Sequence, residues 1–295
     1  MMRRYMTATK GVLTIACGNP KYARQAIDLA RSIRLHDLDL PLAVATDLDP
    51  ALFAGMYNFV IPWDFTQWQG LLSKLEAYDA TPFDTTLFLD ADCLAVRSLH
   101  EVFELFGAQQ FGVYGTQRTD AIWFRGIEDR IHTFAGKDIF PVFNGGLYFF
   151  RKSELAADIF RRAKALKSEY DVLGLRRHLH QSYNEEPLVS LAMVQAGLTA
   201  TNSEHLDVMH TPELPHCEVD FDILDGRCSF IRRGRLVRPA IVHFVGQRKK
   251  AFAYTRERKR LAAAYPSGRI FPLRDAFVQM SAYVAWRRAG RQAVL

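Results

Sequence analysis

A chain of 295 residues that is 49% apolar, 24% charged and 12% aromatic can bury a sizeable core, which excludes extended disorder. Its four cysteines, Cys17, Cys93, Cys217 and Cys228, lack CxxC spacing, which argues against a zinc site or a disulfide framework and fits a reducing cytoplasm. The net charge of +6 is unevenly held: from Ile231 to Leu295 sixteen Lys or Arg stand against two acids, Glu257 and Asp275, so the rest of the chain is net acidic and no nucleic-acid partner is expected.

The first segment, MMRRYMTATKGVLTIACG, has a basic head. Only Gly11 to Cys17 is apolar and no small-residue cleavage site follows, so the stretch reads as a first buried strand, and a cytoplasmic protein is expected. The following segment places Tyr22, Ala26, Leu29 and Ile33 on one helical face. Pro41 to Thr46 is a second strand, ending at Asp47 and Asp49. Phe59 to Trp63 is a third, and Trp68 to Tyr78 reads as a helix. Thr86 to Leu89 is a further strand, after which a helix runs from about Leu99 to Phe106. This β-α-β order predicts a mainly parallel sheet flanked by helices, with ligands beyond the C-terminal strand ends.

In the second half, FNGGLYFF (143–150) reads as a strand approached through a glycine pair, and Ser153 caps a helix burying Leu155, Ile159, Ala163 and Leu166. Another helix spans about Asn184 to Gln195. FIRRGRLV (230–237) has a hairpin pattern, and PAIVHF (239–244) is a buried strand carrying His243. Near the C-terminus Leu273, Phe277, Met280 and Val284 share a helical face beside Arg287, Arg288 and Arg291, a pattern for docking on the domain or for peripheral contact with an anionic membrane. No run reaches the roughly 20 apolar residues needed to span a bilayer. No repeat or linker divides the chain.

The sharpest local feature is LFLDADCLAV. Asp90 and Asp92, one residue apart in an apolar run, would point to one side of a strand and repel each other. A hard divalent cation would hold both, and a solvated turn is the plainer alternative. Haloacid-dehalogenase-type phosphatases share a strand followed by DxD, but they expect Thr where this chain has Leu94.

LFLDADCLAVRSLHEVFE resembles the metal-binding segment of the retaining glycosyltransferases related to glycogenin and to bacterial lipopolysaccharide glucosyl- and galactosyltransferases. Further segments resemble that family in its order, over roughly residues 11 to 255. LTIACGNPKYARQAIDLARSI is similar to the opening strand and helix, which implies Ala16, Asn19 and Tyr22 near the uracil and ribose. SKLEAY puts Lys74 at the lysine that reaches the diphosphate and sugar. FNGGLYFF places Asn144 and Gly145 against the donor sugar. NEEPLVSLAM resembles the D-Q helix start that supplies an acid to the reactive sugar face, with Glu185 and Glu186 in place of Asp and Gln. IVHFVGQRKKAF is similar to the H-F-x-G-x-x-K-P-W signature: His243 would complete a metal shell with Asp90 and Asp92, while Gly246 and Lys249 would meet the diphosphate. The Pro-Trp is replaced by Lys250 and Ala251.

The resemblance implies a GT-A-type, Rossmann-like α/β domain over residues 1–265, with a nucleotide-binding half to about 110 and an acceptor-binding half after it, followed by a basic segment 266–295. It implies transfer of a hexose from a UDP-sugar to a hydroxyl-bearing glycan or glycolipid, with Mn²⁺ or Mg²⁺ as cofactor. A phosphatase and a non-catalytic nucleotide-sugar binding module are the alternatives. The hexose, the acceptor and the oligomeric state do not follow from the sequence.

Overall fold

The computed structural model describes residues 9–177, 182–213, 219–246 and 252–265. In chain order the strands are β1 (Lys10–Ala16), β2 (Leu42–Thr46), β3 (Phe59–Pro62), β4 (Thr85–Leu89), β5 (Cys93–Ala95), β6 (Phe111–Gly112), β7 (Gly115–Arg118), β8 (Phe140–Phe143), β9 (Leu147–Arg151), β10 (Met209–His210), β11 (Val219–Asp222), β12 (Arg227–Arg232), β13 (Arg235–Val237) and β14 (Ile241–His243). The α-helices are α1 (Pro20–His36), α2 (Ala77–Ala80), α3 (His100–Phe106), α4 (Glu128–Ala135), α5 (Glu154–Ala165), α6 (Tyr170–Leu173), α7 (Glu185–Gln195) and α8 (Phe252–Ala264).

The main sheet has the order β3-β2-β1-β4-β9-β6. Its β1–β2, β2–β3 and β1–β4 pairs are parallel, while β9 runs antiparallel to both neighbours. All residues of β2 and β4 are buried, as expected of strands covered on both faces. A second sheet, β10-β14-β5, lies where the chain leaves β4, and the expected hairpin is present as β12–β13 beside β11.

The helices follow from local chemistry. Asn19 accepts the Lys21 N–H at 3.0 Å and Pro20 occupies the first turn, so α1 starts there and buries Ala23, Ala26, Leu29, Ala30 and Ile33. Ser153 caps α5 through the Ala156 N–H. At the far end α8 is fastened to α1 by Arg258 on Asp28, and the fully buried Glu257 accepts the Ile223 N–H at 2.9 Å.

One expected helix is corrected. Instead of a helix over Trp68 to Tyr78, the chain forms a 3₁₀ turn at Gly70–Glu76 followed by the single-turn α2. Gly70 sits at φ 61°, where a side chain would be strained, and Ser73 Oγ donates back to the Gly70 carbonyl at 2.8 Å. The tighter winding brings Lys74 inward. The expected basic helix near the C-terminus lies outside the described residues. No helix among the described residues is long and apolar enough to cross a membrane.

Candidate active site

Beyond β4 the chain turns sharply, with the Cys93 N–H donating to the Asp90 carbonyl at 3.0 Å. The Asp90 N–H donates to the Gly146 carbonyl at 3.0 Å, which joins this turn to the approach of β9. β5 then pairs with β14 so that Cys93 faces His243, and the Phe244 N–H donates to the Asp92 carbonyl at 3.0 Å. Sheet pairing thus brings together groups 151 residues apart: His243 Nε2 is 2.9 Å from Asp92 Oδ1 and 3.6 Å from Asp90 Oδ2.

The other ring nitrogen, Nδ1, lies 2.8 Å from Asn144 Oδ1, which also accepts the Gly146 N–H. An amide oxygen is an acceptor, so this contact places the proton on Nδ1 and aims Nε2 at the carboxylates, the orientation of a metal-ligating imidazole. Burial works against protonation of His243, yet Asp92 and Asp90 hold its pKa above the usual value. Burial pushes the Asp90 carboxyl up, against the pull of Lys74 and His243. One buried and one half-buried carboxylate with an oriented imidazole fit a hard divalent cation such as Mn²⁺ or Mg²⁺. Cys93 also faces this cluster, but burial and the two acids keep its thiol well above the usual range.

A second group adjoins the first. The Lys74 ammonium donates to Glu185 Oε1 at 2.7 Å and to the Gly145 carbonyl at 3.1 Å, and it lies 2.9 Å from Asp90 Oδ2. Burial opposes its charge, but Asp90 and Glu185 raise its pKa, so Lys74 is a cation at neutral pH. Glu185 is fully buried, and burial, against the pull of Lys74, pushes its carboxyl up to about 7. Its Oε2 has no hydrogen-bond partner among the described residues. Glu186 faces the other way: Oε1 accepts the Gly145 N–H at 2.7 Å, and Oε2 accepts the Trp123 indole N–H at 3.0 Å and the Asn184 amide at 3.2 Å.

The glycine pair is needed for close approach. A Cβ on Gly146 would sit 2.5 Å from His243 Nδ1 and 2.9 Å from Asn144 Oδ1, and one on Gly145 would strike Glu185 Oε1. Gly146→Ala should therefore displace the His243 ring and lower metal affinity by about tenfold or more, measured by Mn²⁺ titration.

Of the other expected site residues, Ala16 ends the strand beside β4, and its carbonyl accepts the Thr46 hydroxyl at 2.6 Å. Asn19 and Tyr22 begin the helix that follows it, with Asn19 engaged as the cap. These residues lie along the same sheet edge as Asp90. Gly246 adopts φ 62°, and Lys249 lies outside the described residues. Trp123, Tyr148 and Cys93 join the site without having been anticipated. Tyr148, whose hydroxyl is 3.4 Å from Glu185 Oε1, was visible within FNGGLYFF, and Cys93 follows directly on Asp92. Trp123 carried no signal, because its partner lies 63 residues away.

No protein-family model matches the chain, and no curated protein matches it in sequence. Solved structures do match. The galactosyltransferase LgtC, in complex with donor and acceptor sugar analogs, aligns over 86% of this chain and 96% of its own with 16% identity and a TM-score of 0.57. An active-site mutant of LgtC gives the same TM-score over 87% of this chain. The apo structure of the bifunctional glycosyltransferase WbbM aligns over 90% of this chain and 51% of its own, with 14% identity and a TM-score of 0.54. These similarities show the fold to be that of the GT-A glycosyltransferases.

Proposed function

We propose that the protein is a metal-dependent glycosyltransferase that moves a hexose from a UDP-sugar to a hydroxyl-bearing glycan or glycolipid with retention at the anomeric carbon. The observation that carries this reading is the convergence of Asp90, Asp92, His243, Asn144, the glycine pair, Lys74 and Glu185 at one edge of a GT-A sheet. Each of these residues comes from a segment resembling a nucleotide-sugar transferase. The nucleotide-binding half would be about residues 1–110, with acceptor contacts from residues 111–265.

Asp90, Asp92 and His243 would hold the divalent cation, which when bound supplies positive charge to the diphosphate as it departs. Lys74 sets a second, permanent charge beside Asp90, and Lys249 would add a third. The Gly145–Gly146 backbone admits the Glu185 and His243 side chains that would face the donor. Asn144 keeps the His243 ring in its ligating orientation. Glu185 Oε2 is an acceptor awaiting a donor, which a hexose hydroxyl would supply, and in its ionised form it stabilises positive charge at the anomeric carbon. Glu186 fixes Gly145 and Trp123.

A pH dependence follows. With its carboxyl near 7, Glu185 ionises as the solution approaches neutrality, so donor turnover should climb with pH to a plateau above about 7. Glu185→Gln should lose this limb along with about 10²-fold in turnover. The stability sign is opposite. Because folding raises this pKa above 4.5, the contribution of Glu185 to stability is greatest below that value and is lost as pH rises through about 7. A glutamine at 185 should flatten that decline in a series of melting curves.

The direct test is incubation with a panel of nucleotide sugars and Mn²⁺. Slow hydrolysis of a UDP-sugar, abolished by chelation, is the expected result, with UDP binding more tightly than GDP or CMP in calorimetry. Release of phosphate from simple esters would favour a phosphatase instead. Binding of UDP without turnover would favour a non-catalytic module.

A further inference from the structure

Cys93 takes no part in the chemistry above, although it stands inside the ligand cluster. We propose that Cys93 gives this site a second donor set, Asp92, Cys93 and His243, which captures a thiophilic divalent cation of the zinc class in competition with the hard cation. The competition rests on the transferase reading. The soft-metal site itself rests only on these three residues.

The Asp92 carboxylate, the Cys93 thiol and the His243 ring offer ligand atoms that all lie within 4.8 Å of one another, and all three residues are buried. Their placement is structural. Cys93 and His243 are facing partners in the β5–β14 ladder, so their side chains share one side of it, and the Phe244 N–H on the Asp92 carbonyl fixes the third member. The sulfur, 3.9 Å from the Gly146 carbonyl, lies at the seam between the site and an apolar cluster that includes Leu89, Leu147 and Ala95.

A tetrahedral centre with Zn–S of about 2.3 Å and Zn–N or Zn–O of about 2.0–2.2 Å separates its ligand atoms by about 3.5 Å. The 2.9 Å between His243 Nε2 and Asp92 Oδ1 must open slightly and the thiol, within 4.8 Å of both, must draw in by about 1 Å at most, shifts within the reach of side-chain torsions. Three protein ligands of mixed S, N and O type suit zinc and leave its fourth position open. Thiolate softness and the general order of divalent affinities both favour zinc over manganese here. On binding, the Cys93 S–H bond breaks as the sulfur–metal bond forms, and the proton leaves to solvent.

The two donor sets overlap without coinciding. The hard cation uses Asp90, which the zinc set does not need and which keeps Lys74 on its Oδ2 at 2.9 Å. Asp92 and His243 are common to both, so the two ions exclude each other, and trace zinc would hold the enzyme inactive until it is removed.

The test uses the full chain titrated with Cd²⁺, whose bond to thiolate gives an ultraviolet charge-transfer band, and with Zn²⁺ by calorimetry. One equivalent of band is expected in the wild type. Cys93→Ser should lose it and bind Zn²⁺ more than about tenfold more weakly, while Asp90→Asn should keep the band. Circular dichroism checks the fold of each variant, and Cys93→Ala replaces Cys93→Ser if the latter does not fold. Absence of the band in the wild type overturns the proposal, and so does its survival when Cys93 is replaced, which assigns the band to another cysteine. The band needs no nucleotide sugar, so failure of sugar turnover bears on the transferase reading alone.

Discussion

Asp92→Asn is expected to abolish Mn²⁺-dependent turnover of the donor, with a loss on the order of 10³-fold, and to leave the fold intact. The asparagine keeps the shape of the side chain and an oxygen for His243, and the charge it takes from the imidazole is offset by relief of the repulsion from Asp90, so the metal-free protein should stay folded. What it loses is a ligand charge that neither His243 nor Asp90 replaces. Melting curves separate the two effects. In the wild type, Mn²⁺ with UDP should raise the melting temperature by mass action, worth about 2.7 kcal/mol at 100 times the dissociation constant, and the variant should show almost none of this shift. His243→Ala should lose less, because both carboxylates and the diphosphate remain. An Asp92→Asn enzyme with full metal-dependent turnover would remove the chemical centre of the proposed function.

The largest effect on stability is expected at Lys74. Its ammonium lies between Asp90 and Glu185, three charged groups with little solvent around them, and its removal leaves two carboxylates without their cation. Breaking a buried pair in this way costs about 3–5 kcal/mol, so Lys74→Met should lower the urea midpoint markedly with an unchanged slope. The deficit should shrink on acidification, since protonated Asp90 and Glu185 no longer need the ammonium. Adding Glu185→Gln should recover part of the loss, because the cost resides in the unpaired charges and not in the missing lysine stem. Equal deficits at pH 5 and pH 8 would contradict this account.

The parallel part of the main sheet was largely legible in the chain. Gly11–Cys17, Pro41–Thr46 and Thr86–Leu89 are short apolar runs separated by helical periodicity, and all three became neighbouring parallel strands because strands buried on both faces have few other places to go. Asp90 and Asp92 were legible because two acids interrupt such a run. The direction of β9 was not, since FNGGLYFF reads equally well in either orientation and the long excursion after β5 decides it. Lys74 was identified only by resemblance. Its periodicity suggested a surface helix, whereas the 3₁₀ turn begun at Gly70 rotates it into contact with an acid 111 residues away. The same limit hides the Trp123–Glu186 contact, a product of tertiary packing, and the Cys93–His243 pairing, a product of strand register; neither follows from spacing along the chain.

The antiparallel β4–β9 ladder lies near the middle of the sheet and has a consequence for how the protein fails. Asp90 leaves from one strand of this ladder and the Asn144–Gly145–Gly146 approach leads into the other, with Leu89 opposite Leu147 and the Asp90 N–H on the Gly146 carbonyl. Any local opening that reached this ladder would displace Asp90 and the Asn144–Gly145–Gly146 backbone together, including the carbonyl that accepts from Lys74. Opening at the edges, in β3 or in the β12–β13 hairpin, would release none of them. Fraying at these margins is thereby uncoupled from loss of the site, whereas opening of the central ladder dismantles two of its segments at once.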